Sequence, residues 1–346
     1  VWLCLVRRLP LAELVAHVPR LSRAGLLSRG PLVGLLRERL RSAAEQKPPP
    51  LGPLETYALK RHLEASRPKQ HHRPASSQQL DDVIAALHEH SFKAVPATGK
   101  RFLVAVDVRG PMAHGRVRGL DGVTPAEASA LLLQALVRTG DAVTALAFAA
   151  RGLVQLEVDA RMSLADISRR MRETPMGPVD VSLPLRWAKE QGRSFDLVLV
   201  CTDNQTQSFA VHPAQALREY REACSLPGTR FAVCAMCSQG FSLAPPDELG
   251  MLDRSVLRAP CLKLILNKAA IRAWFLMPLG QHVERHPAWQ AHPQPFLEVR
   301  FWVCLPLYPH IQSDAQSTDC VLRRKHIHYV YSVSSSLTHP FCLHSA

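Results

Sequence analysis

Lys-Arg-Phe-Leu-Val-Ala-Val-Asp, residues 100–107, sets two basic residues ahead of five consecutive apolar ones and ends on a carboxylate, with Gly110 and Pro111 close behind. An apolar run bounded in this way has the pattern of a central strand covered on both faces, with a polar mouth at its end. Residues 196–203, Asp-Leu-Val-Leu-Val-Cys-Thr-Asp, repeat the design, and Arg230 to Ala235 supplies a third run. Helical stretches separate the three, and strands alternating with helices imply a parallel, doubly wound sheet. The strand ends of such a sheet gather on one edge, where ligands bind, so Asp107 and Asp203 are expected to meet there.

The intervening segments support that α/β reading. Thr124 and Glu127 have the spacing of a capping box for a helix over Pro125 to Arg138. Ala142 to Ala149 reads as the next strand, with Leu153 to Val158 as its hairpin or edge partner. Ser163 to Glu173 is an amphipathic helix whose other side carries Arg169, Arg170 and Arg172. Pro175 to Pro184 is a mouth loop, and helices follow over Leu185 to Gln191 and Pro213 to Cys224. Phe231 to Met236 is expected to complete the sheet, and Ser238 to Asp253 to form a surface loop.

Upstream, residues 1–46 carry apolar side chains at helical spacing: Leu3, Val6, Leu11, Leu14, Val15 and Val18, then Leu32, Leu35, Leu36 and Leu40. They read as short amphipathic helices broken by Pro10, Pro19, Gly25 and Gly30. Helices of this kind cannot bury their apolar faces alone, so they look like the end of a stacked helical array. Lys47 to Pro53 is a proline-rich break, Leu54 to Glu64 is helical with Lys60 and Arg61 on one side, and Arg67 to Ser77 reads as a linker or exposed loop. A helix over Leu80 to His90 leads to the opening strand. Past Asp253 neither the helical nor the strand period is sustained, although Phe296 to Leu307 could form a strand. Three segments result: 1–92 helical, 93–253 sheet domain, and 254–346 a tail expected to be poorly ordered.

Among 346 residues, 42 are Lys or Arg and 29 are Asp or Glu, and the pI is near 9.7, a balance that favours anionic partners such as nucleic acid. The excess lies outside residues 101–253, where the two signs nearly cancel. Arg37, Arg39 and Arg41, with Lys60 and Arg61, are therefore the candidate phosphate contacts. Cysteines inside apolar strands, Cys201 and Cys234, pack as small hydrophobes and suit a reducing compartment, which points to the cytoplasm, with the nucleus as a second possibility. Cys234 and Cys237 have CxxC spacing but no second pair to complete a zinc site. No apolar run reaches the length of a membrane span. The chain opens at Val1 rather than Met, so its true start is expected upstream. No nucleophile elbow, phosphate-binding glycine loop or nucleophile, base and orienter set appears, so catalysis is not expected. Ser182 has no His nearby in sequence, and His212, ahead of Pro213, reads as a helix cap or packing residue.

An Asp at the end of a first strand, followed by a turn, suggests a Mg²⁺ site built from strand-end loops. The von Willebrand factor A fold makes such a site from a DxSxS loop, a Thr from a second loop and an Asp from a third. Here the first loop reads Asp107, Val108, Arg109, Gly110, Pro111, and Val179 stands where the Thr would be. Asp107, Asp203 and Asp180 are the oxygen donors left for Mg²⁺ or another divalent cation, and Arg109 brings a fixed positive charge that can replace a metal electrostatically. Such a degenerate site is expected to hold a metal weakly if at all.

Thr-Gly-Lys-Arg-Phe-Leu-Val-Ala-Val-Asp (98–107), Val-Asp-Val-Ser-Leu-Pro (179–184), Thr-Asp-Asn-Gln-Thr (202–206), Val-His-Pro-Ala-Gln-Ala-Leu-Arg-Glu-Tyr-Arg (211–221) and Gly-Met-Leu-Asp (250–253) resemble the C-terminal domain of the Ro ribonucleoprotein family. Leu54 to Tyr57 adds a weaker match, and the similarity stops after Asp253. The resemblance implies a von Willebrand A-like, mostly parallel sheet preceded by the last helices of a TROVE-type helical ring. It further implies a non-enzymatic protein that binds small non-coding Y RNA and misfolded RNA. The alternative is a von Willebrand A-type protein-interaction module, in which the sheet mouth takes an acidic side chain of a partner through a bridging cation.

Overall fold

The computed structural model describes residues 2–27, 30–65, 75–95, 97–117, 120, 122–203, 210–235, 251–253, 320–324 and 327–331. Two units are distinguished, Val1–Pro295 and Phe296–Ala346.

The first unit opens with helices α1 (Trp2–Arg8), α2 (Leu11–Arg23), α3 (Pro31–Glu45), α4 (Pro53–Ala65) and α5 (Ala75–Ser91). Their apolar stripes pack on one another: Leu14 and Val18 of α2, Leu36 and Leu40 of α3, Leu63 of α4, and Ile84 and Leu87 of α5 share one core. Two details depart from the sequence reading. Pro19 lies inside α2 rather than ending it, although its ring removes one backbone donor. Leu14, Val15, Val18 and Leu21 are buried on both sides of it, and that face carries the helix through. Leu3, expected on the buried stripe of α1, is exposed, as are Trp2 and Leu5, and Val6 is the buried position there.

The sheet strands are β1 (Arg101–Val106), β2 (Ala142–Ala149), β3 (Gly152–Leu156), β4 (Leu197–Thr202), β5 (Arg230–Ala235) and β6 (Met251–Asp253). Their order is β3-β2-β1-β4-β5-β6, all parallel except β3, which closes one edge antiparallel to β2. β6 corrects the expectation that β5 ends the sheet and that Ser238 to Asp253 is loop throughout. Three residues are too few to show a period of two, so only pairing with β5 reveals the strand.

Alternation along β1 feeds two cores. Phe102, Val104 and Val106 pack on one face with Leu131, Leu132 and Leu136 of α7 (Pro125–Arg138), which follows the short α6 (Gly110–His114), and with Ile167 and Met171 of α8 (Leu164–Glu173). Leu103 and Ala105 pack on the other with Leu185 of α9 (Leu183–Glu190) and Leu217 and Tyr220 of α10 (Pro213–Ala223). Each fully buried large apolar side chain of this kind contributes about 1.5–3 kcal/mol, so β1, with β4 beside it buried at every position, anchors both cores. Thr124 and Ser163 close reciprocal capping boxes at the starts of α7 and α8.

β1 continues to β2 and β3 on one side, while β4, β5 and β6 are added on its other side, so the order of strands reverses at the parallel pair β1 and β4. That crevice is the topological switch point, where open α/β sheets bind ligands.

The second unit contributes one antiparallel hairpin, β7 (Cys320–Arg324) with β8 (Ile327–Tyr331), inside a segment expected to be poorly ordered. Ile-His-Tyr-Val-Tyr is rich in β-branched and aromatic residues, which favour strands over a length too short for periodicity to register. The expected strand over Phe296 to Leu307, the rest of the tail, and His71, His72 and Cys237 lie outside the described residues.

Candidate functional site

At the switch point the backbone itself sets up the mouth. The amide of Asp107 donates to the Cys201 carbonyl at 2.9 Å, extending the ladder by one residue, so Asp107 emerges level with Thr202 and Asp203 at the end of β4. Asp107, Thr202 and Asp203 are all fully buried. The Thr202 hydroxyl lies 3.1 Å from Asp107 Oδ2 and 3.3 Å from Asp203 Oδ1, a neutral bridge between the two carboxylates.

Arg109 completes the arrangement. Its amide donates to Asp107 Oδ1 at 2.9 Å, its Nε lies 3.0 and 3.2 Å from the two Asp107 oxygens, and its Nη2 reaches Asp107 Oδ2 at 2.7 Å and Asp203 Oδ1 at 2.8 Å. The fork-on-carboxylate geometry is the strong form of this interaction. The hydrogen bond to Asp107 outweighs the cost of burial and holds the Arg109 guanidinium above its ordinary value. Arg109 is also the residue before α6, which has Pro111 in its first turn, so the loop turns into a helix after the three residues Asp107, Val108 and Arg109.

Asp180 is placed differently. Its Oδ1 accepts from the amide and hydroxyl of Ser182 at 2.9 and 2.7 Å, and its Oδ2 from Arg186 at 2.7 Å and the Ala210 amide at 3.2 Å. It organises the start of α9, and its oxygens already carry four donors. Val179 is buried in the apolar core on the α9–α10 face and presents no oxygen to the mouth. Among the described residues no group of three or more His, Cys, Asp or Glu side chains could hold a metal ion. The donor set therefore does not fit Mg²⁺: a hard cation needs several converging oxygens, and the two that converge here are bridged by a guanidinium.

The basic candidates of the helical segment do not form one ridge. Residues two apart on a helix point about 200° from each other, so Arg39 faces away from Arg37 and Arg41. Arg39 Nη1 lies 2.7 Å from the carbonyls of Val6 and Leu9 and 3.2 Å from that of Arg7, closing the end of α1. Arg37 reaches Gln79 on α5. Arg41 pairs with Glu38 at 2.8 Å, both largely exposed. Arg61 contacts Glu64 and, on α7, Glu127, each at 3.1 Å, and Lys60 is half-buried beside it. His212 caps α10 by accepting from the Ala214 amide.

Sequence reasoning passed over the joint between the helical segment and the sheet domain. Tyr57 Oη donates to Glu127 at 3.1 Å, Arg138 pairs with Glu89 at 2.9 Å and lies over the Phe92 ring at 4.3 Å, and Leu54 and Tyr57 enter the sheet domain's core. Capping box and joint share one residue, Glu127: its spacing from Thr124 announces the first role, and no local pattern announces the second. Thr202 was legible in principle, as the hydroxyl directly before a strand-end Asp.

Residues 101–267 match the family model described as the Ro60 vWA domain. The RNA-binding protein RO60 of Caenorhabditis elegans is 30% identical over 177 residues, covering 51% of this chain and 27% of that protein. Its namesake from Deinococcus radiodurans is 29% identical over 248 residues, covering 70% of this chain and 46% of that protein. The crystal structure of the Deinococcus radiodurans RO (RSR) protein superposes with a TM-score of 0.59 at 26% identity, covering 71% of this chain and 50% of that one. This chain thus spans half or less of the length of the relatives it matches.

Proposed function

We propose that this chain, a member of the Ro60 family through its von Willebrand A domain, is an RNA-binding protein whose ligands are small non-coding RNAs of the Y type and the ends of misfolded RNAs. The observation that carries the reading is a basic helical segment packed directly on a charge-balanced sheet domain, through Tyr57, Arg61 and Arg138, in a chain whose relatives are named RNA-binding proteins. In this reading Arg37, Arg41, Lys60 and Arg61 neutralise phosphates without reading sequence, while Arg39 serves by holding α1 against α3. Arg41 exchanges its exposed partner Glu38 for phosphate at little cost, since surface ion pairs contribute about 0–1 kcal/mol, whereas Arg61 exchanges only Glu64 and keeps Glu127 at the joint. The role is non-catalytic and its setting the cytoplasm, with the nucleus as a second site.

Fluorescence anisotropy of a labelled Y-type hairpin RNA with a single-stranded end, titrated with the full chain across a salt series, tests the reading. Affinity is expected to fall steeply with salt. The Arg37→Glu, Lys60→Glu double variant is expected to bind more weakly and with a shallower salt slope, by about one unit per lost phosphate contact. A flat salt titration would overturn the assignment.

A further inference from the structure

The mouth of the sheet brings together two fully buried carboxylates, Asp107 and Asp203, with only the neutral Thr202 hydroxyl bridging them apart from Arg109 among the described residues, so their charge must be balanced. Two buried carboxylates without a counter-charge would be strongly destabilising. We propose that Arg109 is the permanent counter-cation of this mouth, seated where a divalent ion would sit, so that the edge works independently of metal and its removal unmasks a site for a hard divalent cation.

Geometry carries the argument. One nitrogen, Nη2, touches an oxygen of each carboxylate at 2.7 and 2.8 Å, which is the bridging position a shared ion would take. Nε holds both oxygens of Asp107, and the Arg109 amide adds a further bond to Oδ1. The group is tethered two residues from its principal partner and stands at the start of α6, so the chain itself holds it at the site. A metal would have to expel it to reach the two carboxylates and the Thr202 hydroxyl, the oxygens that converge here among the described residues, while Asp180 is engaged with Ser182, Arg186 and Ala210.

The consequence concerns partners as much as metals. A divalent ion held by the two carboxylates would stay open to an acidic ligand, whereas the guanidinium here is already engaged by Asp107 and Asp203. The bridging-cation mode of interaction with an acidic side chain of a partner is then lost.

Melting temperatures of the full chain and of Arg109→Ser and Arg109→Lys, measured in EDTA and in millimolar Mg²⁺ or Mn²⁺ at matched ionic strength, test the proposal, with Mn²⁺ binding read separately by electron paramagnetic resonance. The wild-type melt is expected to be the same in chelator and in cation, with no bound Mn²⁺. Arg109→Ser should melt lower in EDTA, recover several degrees with Mg²⁺ or Mn²⁺ and bind Mn²⁺ at about one equivalent, roughly one ion per carboxylate pair. Arg109→Lys, which retains a positive charge, should stay insensitive to cation. A wild-type melt that rises with Mg²⁺, or Mn²⁺ bound to the wild type, overturns the proposal. So does an Arg109→Ser protein that folds in EDTA and takes up no cation. Should Arg109→Ser fold only when Mg²⁺ is present, the proposal stands; should it fold under neither condition, the wild-type and Arg109→Lys measurements decide.

Discussion

Gly177 shows how a single atom can be excluded from a functional edge. A Cβ built on it would lie 2.1 Å from the Ala149 carbonyl oxygen, and its neighbour Met176 bridges to Ala149 antiparallel. The mouth loop therefore rests directly on the end of β2, an approach only glycine permits. Gly177→Ala should force the loop off the sheet at a cost of about 1–3 kcal/mol, seen as a lowered urea midpoint with an unchanged slope. Gly140→Ala is a poor control because its φ is +80°, so the comparison belongs with Gly110→Ala, where nothing lies within 4 Å of the added atom. Arg39 makes the complementary point. Arginine on a helical face reads as a solvated or phosphate-facing charge, yet this one donates to three main-chain carbonyls. Arg39→Ala is expected to loosen α1, losing on the order of 1–2 kcal/mol, whereas Arg41→Ala, in an exposed pair, should be nearly silent in stability.

Elements meet through a small polar knot between α4 and α5. His88 is buried, with Nδ1 2.8 Å from Thr56 Oγ1, which in turn lies 3.1 Å from Ser91 Oγ. The Tyr57 and Phe92 rings flank it, with centroids 5.8 and 5.1 Å away. Burial lowers the His88 pKa to about 4, with Glu89 opposing that shift and Lys60 and Arg138 assisting it. In the unfolded chain the imidazole titrates at its ordinary value of 6.5, so between pH 6.5 and 4 the unfolded state binds more protons than the folded one. Stability must then fall as pH drops through that window, by on the order of 3 kcal/mol at its lower end. Urea midpoints at pH 7 and pH 4.5 measure it, and His88→Gln should remove the share of the loss that His88 causes, leaving that of the carboxylates and of His17, whose pKa burial also lowers. At the helix starts, Thr124→Ala is expected to cost about 1 kcal/mol through loss of the α7 capping box. It should also disturb the joint with α4, because Glu127 closes the box and receives Tyr57 and Arg61.

For the whole molecule, the largest stability loss is expected where both cores meet. Leu103→Ala, in the fully buried central strand, should cost about 2–5 kcal/mol and lower the melt as one cooperative transition with the joint, if helical segment and sheet domain unfold together. Scanning calorimetry separates that outcome from two independent transitions. The steep salt dependence expected for RNA binding belongs to this scale too, because it arises from summed charge rather than from any one contact.

Much of the architecture was legible in the chain itself. The apolar runs ending in Asp107 and Asp203, the Thr124 capping box and the stripes of α2, α3 and α5 are local patterns, and local patterns survive folding because burial and backbone hydrogen bonding impose them residue by residue. Their alternation determined a doubly wound sheet with both carboxylates on one edge. What only the tertiary structure decided is which charges face which. Arg109 reaches Asp203, 94 residues away, Arg39 turns back to α1, Asp180 is drawn to α9, and β6 is recognised only as a partner of β5. Electrostatic pairing depends on distances between segments that are remote in the chain, and no periodicity or spacing carries those distances.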